Sequence, residues 1–286
     1  MKKRTVRRGK LGWLIALAVV AVLAVLCVFA FSEKLSVSEY TVFSDKVSSG
    51  ITIVQISDLH NCVFGEGNRD LLDAVDALRP DIVALTGDIA DPRSDKTPSI
   101  DFARAISAKY PCFYVIGNHE NSYAGRSKKI CAEFEQAGLT VFHGDGQIID
   151  INGSRLLVCG IDDPLASPDY NLDMWEQQLE KCDGMIEDGL FSVLLSHRPE
   201  CVDYYASTSF DLVLAGHAHG GQARLPLVLP QGLYAPNQGF FPKYTSGRFE
   251  LGDRGTVMIV SRGLSTRLRP RVFNRPDIVK ISILPK

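Results

Sequence analysis

The sequence predicts an α/β domain carried behind one membrane-crossing helix, and three observations lead there. From residue 51 onward, short β-branched runs alternate with polar turns and helical stretches, the texture of βαβ units. Ahead of that pattern, residues 11–31 are 21 uncharged, mostly aliphatic positions. After residue 50 no internal repeat, low-complexity stretch or linker interrupts the chain, so 51–286 reads as one domain.

The N-terminal segment has three parts. Residues 1–10 form a basic flank holding Lys2, Lys3, Arg4, Arg7, Arg8 and Lys10, and the first acidic residue is Glu33. As a helix, residues 11–31 would span about 30 Å, the thickness of the hydrocarbon core. The basic flank before the run and the sparse one after it (Glu33, Lys34) place the N-terminus in the cytoplasm and the domain outside. Val28-Phe29-Ala30 offers a signal-peptidase site, but the apolar run exceeds the usual signal-peptide core, which favours an uncleaved anchor. Residues 32–50 read as a polar stalk.

The strands of the domain are expected at 51–56, 82–85, 113–116, 156–159, 192–195 and 212–215, with helices between them. Leu71, Val75 and Leu78 fall on one helical face at i, i+4, i+7, and Arg79-Pro80 ends that helix. Beyond residue 220 the texture turns to Gly, Pro and aromatic residues. Two further apolar runs, 257–260 and 278–284, read as a hairpin strand and a terminal strand.

Charge excludes one class of partner. With six of its 31 basic residues in the first ten, the remainder holds 25 basic against 33 acidic residues. A body of that sign does not bind nucleic acid through general electrostatics. The seven cysteines show no C-x-x-C metal spacing, and Cys112 and Cys159 sit in apolar runs where a buried free thiol is expected.

The informative residues stand at strand ends. Asp58 and His60 follow the first strand, Asp88 the second, Asn118 and His119 the third, His197 the fifth, and His217 and His219 the sixth. In an open α/β sheet, ligands bind beyond the carboxyl ends of the strands, so residues delivered there converge on one pocket. Gly87, Gly117 and Gly216 precede these positions and permit tight turns and close backbone approach. Carboxylate, amide oxygen and imidazole together suit Mn, Fe, Zn or Co, and there are enough of them for two ions sharing one carboxylate. Each block alone is a weak signal, since Asp is a common turn residue. Their conjunction is strong: five of the six histidines fall inside the blocks.

The blocks Asp58-Leu59-His60, Gly87-Asp88, Gly117-Asn118-His119-Glu120, His197 and Gly216-His217-Ala218-His219 resemble the five signature blocks of the calcineurin-like metallophosphoesterase family. The surrounding text, such as Ser196-His197-Arg198-Pro199-Glu200 and Ser261-Arg262-Gly263-Leu264, is similar to its membrane-associated, bacterial phosphodiesterase-like branch. That branch includes relatives of a UDP-diacylglucosamine pyrophosphatase.

The resemblance implies a four-layer α/β/β/α sandwich with two divalent metal ions at the strand ends. It implies that Asp58, His60, Asp88 and His219 hold one ion, and that Asn118, His197 and His217, with Asp88 bridging, hold the other. His119 would bind neither ion and would act on the leaving oxygen of a phosphate ester.

Several residues are weighed beside these. His143 lies outside every block and reads as a surface histidine. Glu120 is either a partner that orients His119 or a solvated turn residue. Arg198, Gln222, Arg224 and Arg262 adjoin the motif loops and are candidates, on the weaker side, for contacting a substrate phosphate or sugar. Five arginines between 262 and 275 read as a solvated loop, with an anionic membrane surface as the alternative. Residues 225–241 read as a packed hairpin, or as a lid over a lipid-like substrate.

The sequence therefore points to a metal-dependent hydrolase of phosphate mono- or diesters at the membrane surface, with a lipid-linked ester among the candidate substrates. Two alternatives stand beside it: a pyrophosphatase acting on a nucleotide-linked lipid such as UDP-diacylglucosamine, and a non-catalytic scaffold, which would require lost ligands.

Overall fold

The computed structural model describes residues 3–121, 126–164, 172–267 and 270–286. Lys2 of the basic flank and Arg269 of the arginine-rich loop lie outside the described residues. The chain opens with helix α1 (Lys3–Ala30), whose stretch Gly12–Ala30 is long and apolar enough to cross a bilayer.

Twenty further α-helices and β-strands follow among the described residues. They begin with β1 (Ser36–Ser44), β2 (Ile51–Ile56), α2 (Arg69–Leu78), β3 (Ile82–Thr86), α3 (Thr97–Ser107) and β4 (Cys112–Val115). The short α4 (Asn118–Asn121), α5 (Arg126–Gln136), β5 (Thr140–Val141), β6 (Asp145–Ile151) and β7 (Ser154–Gly160) follow. Then come α6 (Leu172–Asp183) and β8 (Phe191–Leu195). The remainder comprises α7 (Val202–Ser207), β9 (Leu212–Ala215), a small hairpin of β10 (Tyr234–Ala235) and β11 (Gly239–Phe240), β12 (Gly247–Leu251), β13 (Thr256–Val260) and β14 (Asp277–Pro285).

These strands form two six-stranded sheets among the described residues, ordered β1-β14-β2-β3-β4-β5 and β12-β13-β9-β8-β7-β6. Within each strand alternate side chains serve different layers. Ile51 and Ile53 point between the sheets, where they meet Leu156, Val193 and Leu214, whereas Val54 and Ile56 face outward onto α2, α3 and α5. On the far side, Leu157, Leu194 and Val213 pack against Trp175 and Leu179 of α6 and Tyr205 of α7. Helices therefore cover both outer faces of a paired-sheet core, the expected α/β/β/α sandwich.

The adjacent strands β2, β3 and β4 run parallel, as do β7, β8, β9 and β13. Their carboxyl ends consequently share one rim. Gln55 ties the two sheets together near that rim, its Nε2 donating to Thr86 Oγ1 and to the Ala215 carbonyl, each at 2.9 Å.

One expectation fails. Ser36–Ser44, inside the segment read as a polar stalk, is an edge strand that pairs in parallel with β14 along its whole length. Its outer face is solvated, so it lacks the continuous apolar run of a buried strand and resembles a linker in composition. Helix α1 is joined to the sheet by only five residues, 31–35. The seven cysteines are free thiols, and Cys112 and Cys159 are buried in strands as expected.

Candidate metal centre

All the strand-end residues singled out in the sequence lie at the shared rim, and six of the eight fall into two groups brought together around one carboxylate. Asp58, His60 and His219 form one group, and Asp88, His197 and His217 the second, with the potential donor atoms of each within 4.8 Å of one another. A third group, His60, Asp88 and His119, shares members with the first two. Asp88 Oδ2 is the hub: it lies 3.5 Å from His60 Nε2, 3.3 Å from His197 Nε2 and 3.9 Å from His119 Nε2.

The backbone makes this convergence possible at some cost. Asp58, His60, Asp88, His217 and His219 all have left-handed backbone angles, φ 47° to 65°, uncommon for residues with a side chain. Hydrogen bonds hold them there. Asp58 N donates to the Gly87 carbonyl and His60 N to the Asp88 carbonyl, both at 3.0 Å, and His217 N donates to the Asp58 carboxylate at 3.1 Å. Gly117 and Gly216 have no side chain for a steric reason, since a Cβ would collide with the Asp88 carboxylate and with Ser57 and Asp58 respectively.

Glu120 fits neither reading offered for it. It is fully buried, and its carboxylate accepts the backbone N–H groups of Asp88 (3.0 Å), Ala90 (2.9 Å) and Gly117 (2.9 Å). It thus clamps the loops after β3 and β4 to each other. Burial first and the neighbouring Asp88 second push its pKa up to about 8, against the donors that favour the ionised form.

Burial dominates the remaining titration behaviour. It pushes His60 down to about 3 and holds His217 and His219 well below the usual imidazole range, so these three are neutral, the form that binds metals. Burial, opposed by His197 and reinforced by Asp88, raises Asp58 to about 6. For the Asp88–His197 pair, burial is outweighed by mutual attraction, which holds Asp88 well below the carboxylate range and His197 up at about 10.

The donor set fits a pair of cations. Both ring nitrogens of His60, Nε2 of His197 and Oδ1 of Asn118 are buried without a hydrogen-bond partner, an arrangement that costs stability unless the atoms have another task. Tautomers support the same reading. His197 Nδ1 lies 2.8 Å from the Thr86 carbonyl, which can only accept, so Nδ1 carries a proton and Nε2 is the nitrogen that faces Asp88. His217 Nε2 is held between Asn237 Oδ1 at 2.9 Å and Arg198 Nη1 at 3.0 Å, so that nitrogen is engaged by the surrounding loops.

Asp91, Arg93, Asp163 and Asn237, all next to the centre, were missed by the sequence reading. Asp91 and Arg93 sit behind His119, whose Nδ1 lies 2.9 Å from Arg93 Nη2 and 3.3 Å from Asp91 Oδ2. Asp163 binds Arg198 through both carboxylate oxygens, at 2.5 and 2.9 Å. Asp163 had a legible signal, since it follows β7 as the ligands follow their strands. Asn237 had none, lying in an aromatic hairpin without a motif.

Of the four residues weighed as phosphate contacts, Arg198 alone reaches the centre, and it is buried, its Nη1 lying 3.0 Å from His217 Nε2 and 2.6 Å from Asn237 Oδ1. Arg262 pairs with Asp277, Arg224 binds the Ser246 hydroxyl, and Gln222 gives its carbonyl to Asn274. The arginine-rich loop is likewise not simply solvated. Buried Arg271 donates to the carbonyls of Ser265, Arg262 and Gly263, and Arg275 to those of Lys34 and Leu35. His143 is exposed as expected and pairs with Asp162 at 2.8 Å, which raises its pKa to about 10.

The family model described as calcineurin-like phosphoesterase matches residues 51–221, the stretch that contains every one of these strand-end residues. The chain belongs to the calcineurin-like phosphoesterase family. It is therefore a hydrolase acting on phosphoric ester bonds.

Three relatives are similar along most of their own length. A metallophosphoesterase of Aquifex aeolicus is 31% identical over 271 residues, covering 88% of this chain and 93% of its own. YkuE, a metallophosphoesterase of Bacillus subtilis, is 29% identical over 88% of this chain and 86% of its own. The phosphodiesterase YaeI of Escherichia coli is 25% identical over 72% of this chain and 71% of its own. Among solved structures, TT1561 of Thermus thermophilus superposes with a TM-score of 0.52 at 16% identity, covering 75% of this chain and 90% of its own, which speaks to the calcineurin-like fold alone.

Proposed function

We propose that the chain is a two-metal phosphoesterase that hydrolyses phosphate diesters or monoesters at the outer surface of a membrane, anchored through residues 11–31. The observation that carries this reading is the pair of three-residue groups, with Asp88 of one lying 3.5 Å from His60 of the other. Asp58, His60, Asp88 and His219 would hold one divalent ion, and Asp88, Asn118, His197 and His217 the other, from among Mn, Fe, Zn or Co. When bound, such a pair neutralises phosphoryl oxygens and acidifies water at neutral pH.

The chain's own part in the reaction falls to His119. Its side chain is 19% exposed, more open than those of its histidine neighbours in the centre. Contacts of Nδ1 with Arg93 at 2.9 Å and Asp91 at 3.3 Å hold the ring with Nε2 turned toward Asp88. From there His119 would protonate the departing oxygen. Buried Arg198, braced by Asp163, and Asn237 would keep His217 in one orientation. The diester preference draws support from the similarity to YaeI, a phosphodiesterase.

Spheroplasts expressing the full chain, supplied with Mn²⁺ and the impermeant substrate bis(4-nitrophenyl) phosphate, test activity and side together. Nitrophenolate release by intact spheroplasts, abolished by a chelator and absent in Asp88→Asn, is the expected result. Release only after lysis would place the domain in the cytoplasm and favour the nucleotide-linked lipid as substrate. No metal-dependent release in either state would contradict the phosphoesterase reading.

A further inference from the structure

We propose that the turn at residues 225–229, together with Phe240 and Phe241, forms a second membrane contact that lays the mouth of the metal centre against the leaflet where α1 ends. The inference rests on the placing of α1 in a bilayer under the proposed function and adds the surface that sets the domain's orientation.

The first observation is exposure. Leu227 is 100% exposed, Phe241 70%, Phe240 69% and Val228 67%. Apolar side chains scattered singly on a surface need no explanation, but several large ones on neighbouring loops mark an interaction site. Leu227 and Phe241 also have left-handed backbone angles, φ 70° and 57°. For bulky residues that conformation is strained, and the hydrogen bonds of the loops hold the side chains outward. Val228 N and Leu229 N both donate to the Leu225 carbonyl, closing the turn, and Phe241 N donates to the Leu233 carbonyl at 2.9 Å.

The second observation says what covers this surface. The turn is continuous with the end of α1. Arg224 N donates to the Val272 carbonyl at 2.8 Å, and the next residue, Phe273, donates its N–H to the carbonyl of Ala30, the last residue of α1, at 2.7 Å. Arg275 fastens the exit of the helix from the other side through the carbonyls of Lys34 and Leu35. A helix end bonded to the body in this way holds the adjoining loops at the level where α1 leaves the lipid. Charge agrees: between Asp211 and Glu250 the chain has no acidic residue, and exposed Lys243 follows Phe241 by two positions. A basic residue beside an apolar tip fits an anionic headgroup layer over acyl chains.

The third observation connects the surface to the chemistry. Asn274, the neighbour of Phe273, donates from Nδ2 to the carbonyl of His219 at 2.7 Å. The hairpin that carries Phe240 also carries Asn237, which reaches His217. Lipid contact at these loops therefore sets the centre at the headgroup level.

Fluorescence quenching in vesicles tests the contact. The chain has two tryptophans, Trp13 in α1 and the buried Trp175. In a Trp13→Phe background, the full-length protein carrying Leu227→Trp is reconstituted into phosphatidylglycerol vesicles whose acyl chains are brominated. Phe43→Trp, at the exposed end of β1 remote from α1, is the comparison. The Leu227→Trp protein should lose most of the added fluorescence in brominated relative to plain vesicles, and the Phe43→Trp protein should lose none. Equal quenching of the two, or a Leu227→Trp signal that responds to protein concentration and not to bromine, would overturn the proposal and in the second case point to self-association. Quenching reads position and not turnover, so this result stands apart from the phosphoesterase reading. Retained hydrolysis of soluble bis(4-nitrophenyl) phosphate by the Leu227→Trp protein shows that it is folded.

Discussion

Asp88→Asn is expected to empty both metal positions together. Its Oδ2 lies within 3.5 Å of His60 Nε2 and of His197 Nε2, one from each group, so it is the one carboxylate both positions can share. The substitution keeps the size of the side chain and removes the negative charge, and it turns one oxygen into an N–H donor that cannot ligate a cation. Outer residues that merely orient a ligand cost about 10–100-fold when lost, and a shared ligand should cost more, about 10²-fold or greater in rate. Elemental analysis and activity measured on the same preparation check this. Activity lost with metal content intact would remove Asp88 from the bridging position.

His119→Ala should behave oppositely, sparing metal content while costing about 10²–10⁴-fold in rate, the usual worth of one positioned acid–base group. The side chain leans on Asp91 and Arg93 through Nδ1, and its ring meets that of His60 edge to face with centroids 4.4 Å apart. His119 also belongs to one of the three potential ligand groups, which is why metal content is the discriminating readout. The rate loss should shrink for leaving groups such as nitrophenolate, which need little protonation, and grow for alkoxides. A variant that loses metal as fully as Asp88→Asn, or whose deficit ignores leaving-group pKa, would make His119 a ligand and not a proton donor.

The parts of the molecule legible in the sequence share one physical cause. Strands buried on both faces must be apolar throughout, so β2, β3, β8 and β9 stand out as runs, and the polar residues after them are conspicuous. Asp58, Asp88, His197 and His217 were readable for that reason. The strands that escaped are the half-exposed ones. β1, β6 and β12 alternate partly buried or buried with exposed residues and lie at the sheet edges, where a polar strand and a linker have much the same composition. The outer ring of the centre escaped for a different reason. Asp91, Arg93 and Asn237 act through contacts between distant loops, and neither spacing nor composition records such contacts. Glu120 was visible beside His119, but its attachment to the backbone of Asp88, 32 positions away, was not.

The left-handed backbone at five of the expected ligands was equally hidden, because the three glycines picked out as turn formers are their neighbours and not the ligands themselves. Asp58 and His60 adopt that geometry because hydrogen bonds from the strand-end loops of β3 impose it. A sequence announces a strained turn when glycine occupies it. It stays silent when a functional side chain must occupy it and the surrounding structure bears the strain.

The number of ions held per chain tests the account most directly. Full-length protein, stripped with a chelator and then equilibrated with increasing Mn²⁺ up to saturation, is examined by elemental analysis while diester hydrolysis is followed on the same samples. The account predicts close to two ions per chain at saturation and hydrolysis that returns with their uptake. Hydrolysis by thoroughly stripped protein, or saturation at one ion per chain with full activity, would contradict it.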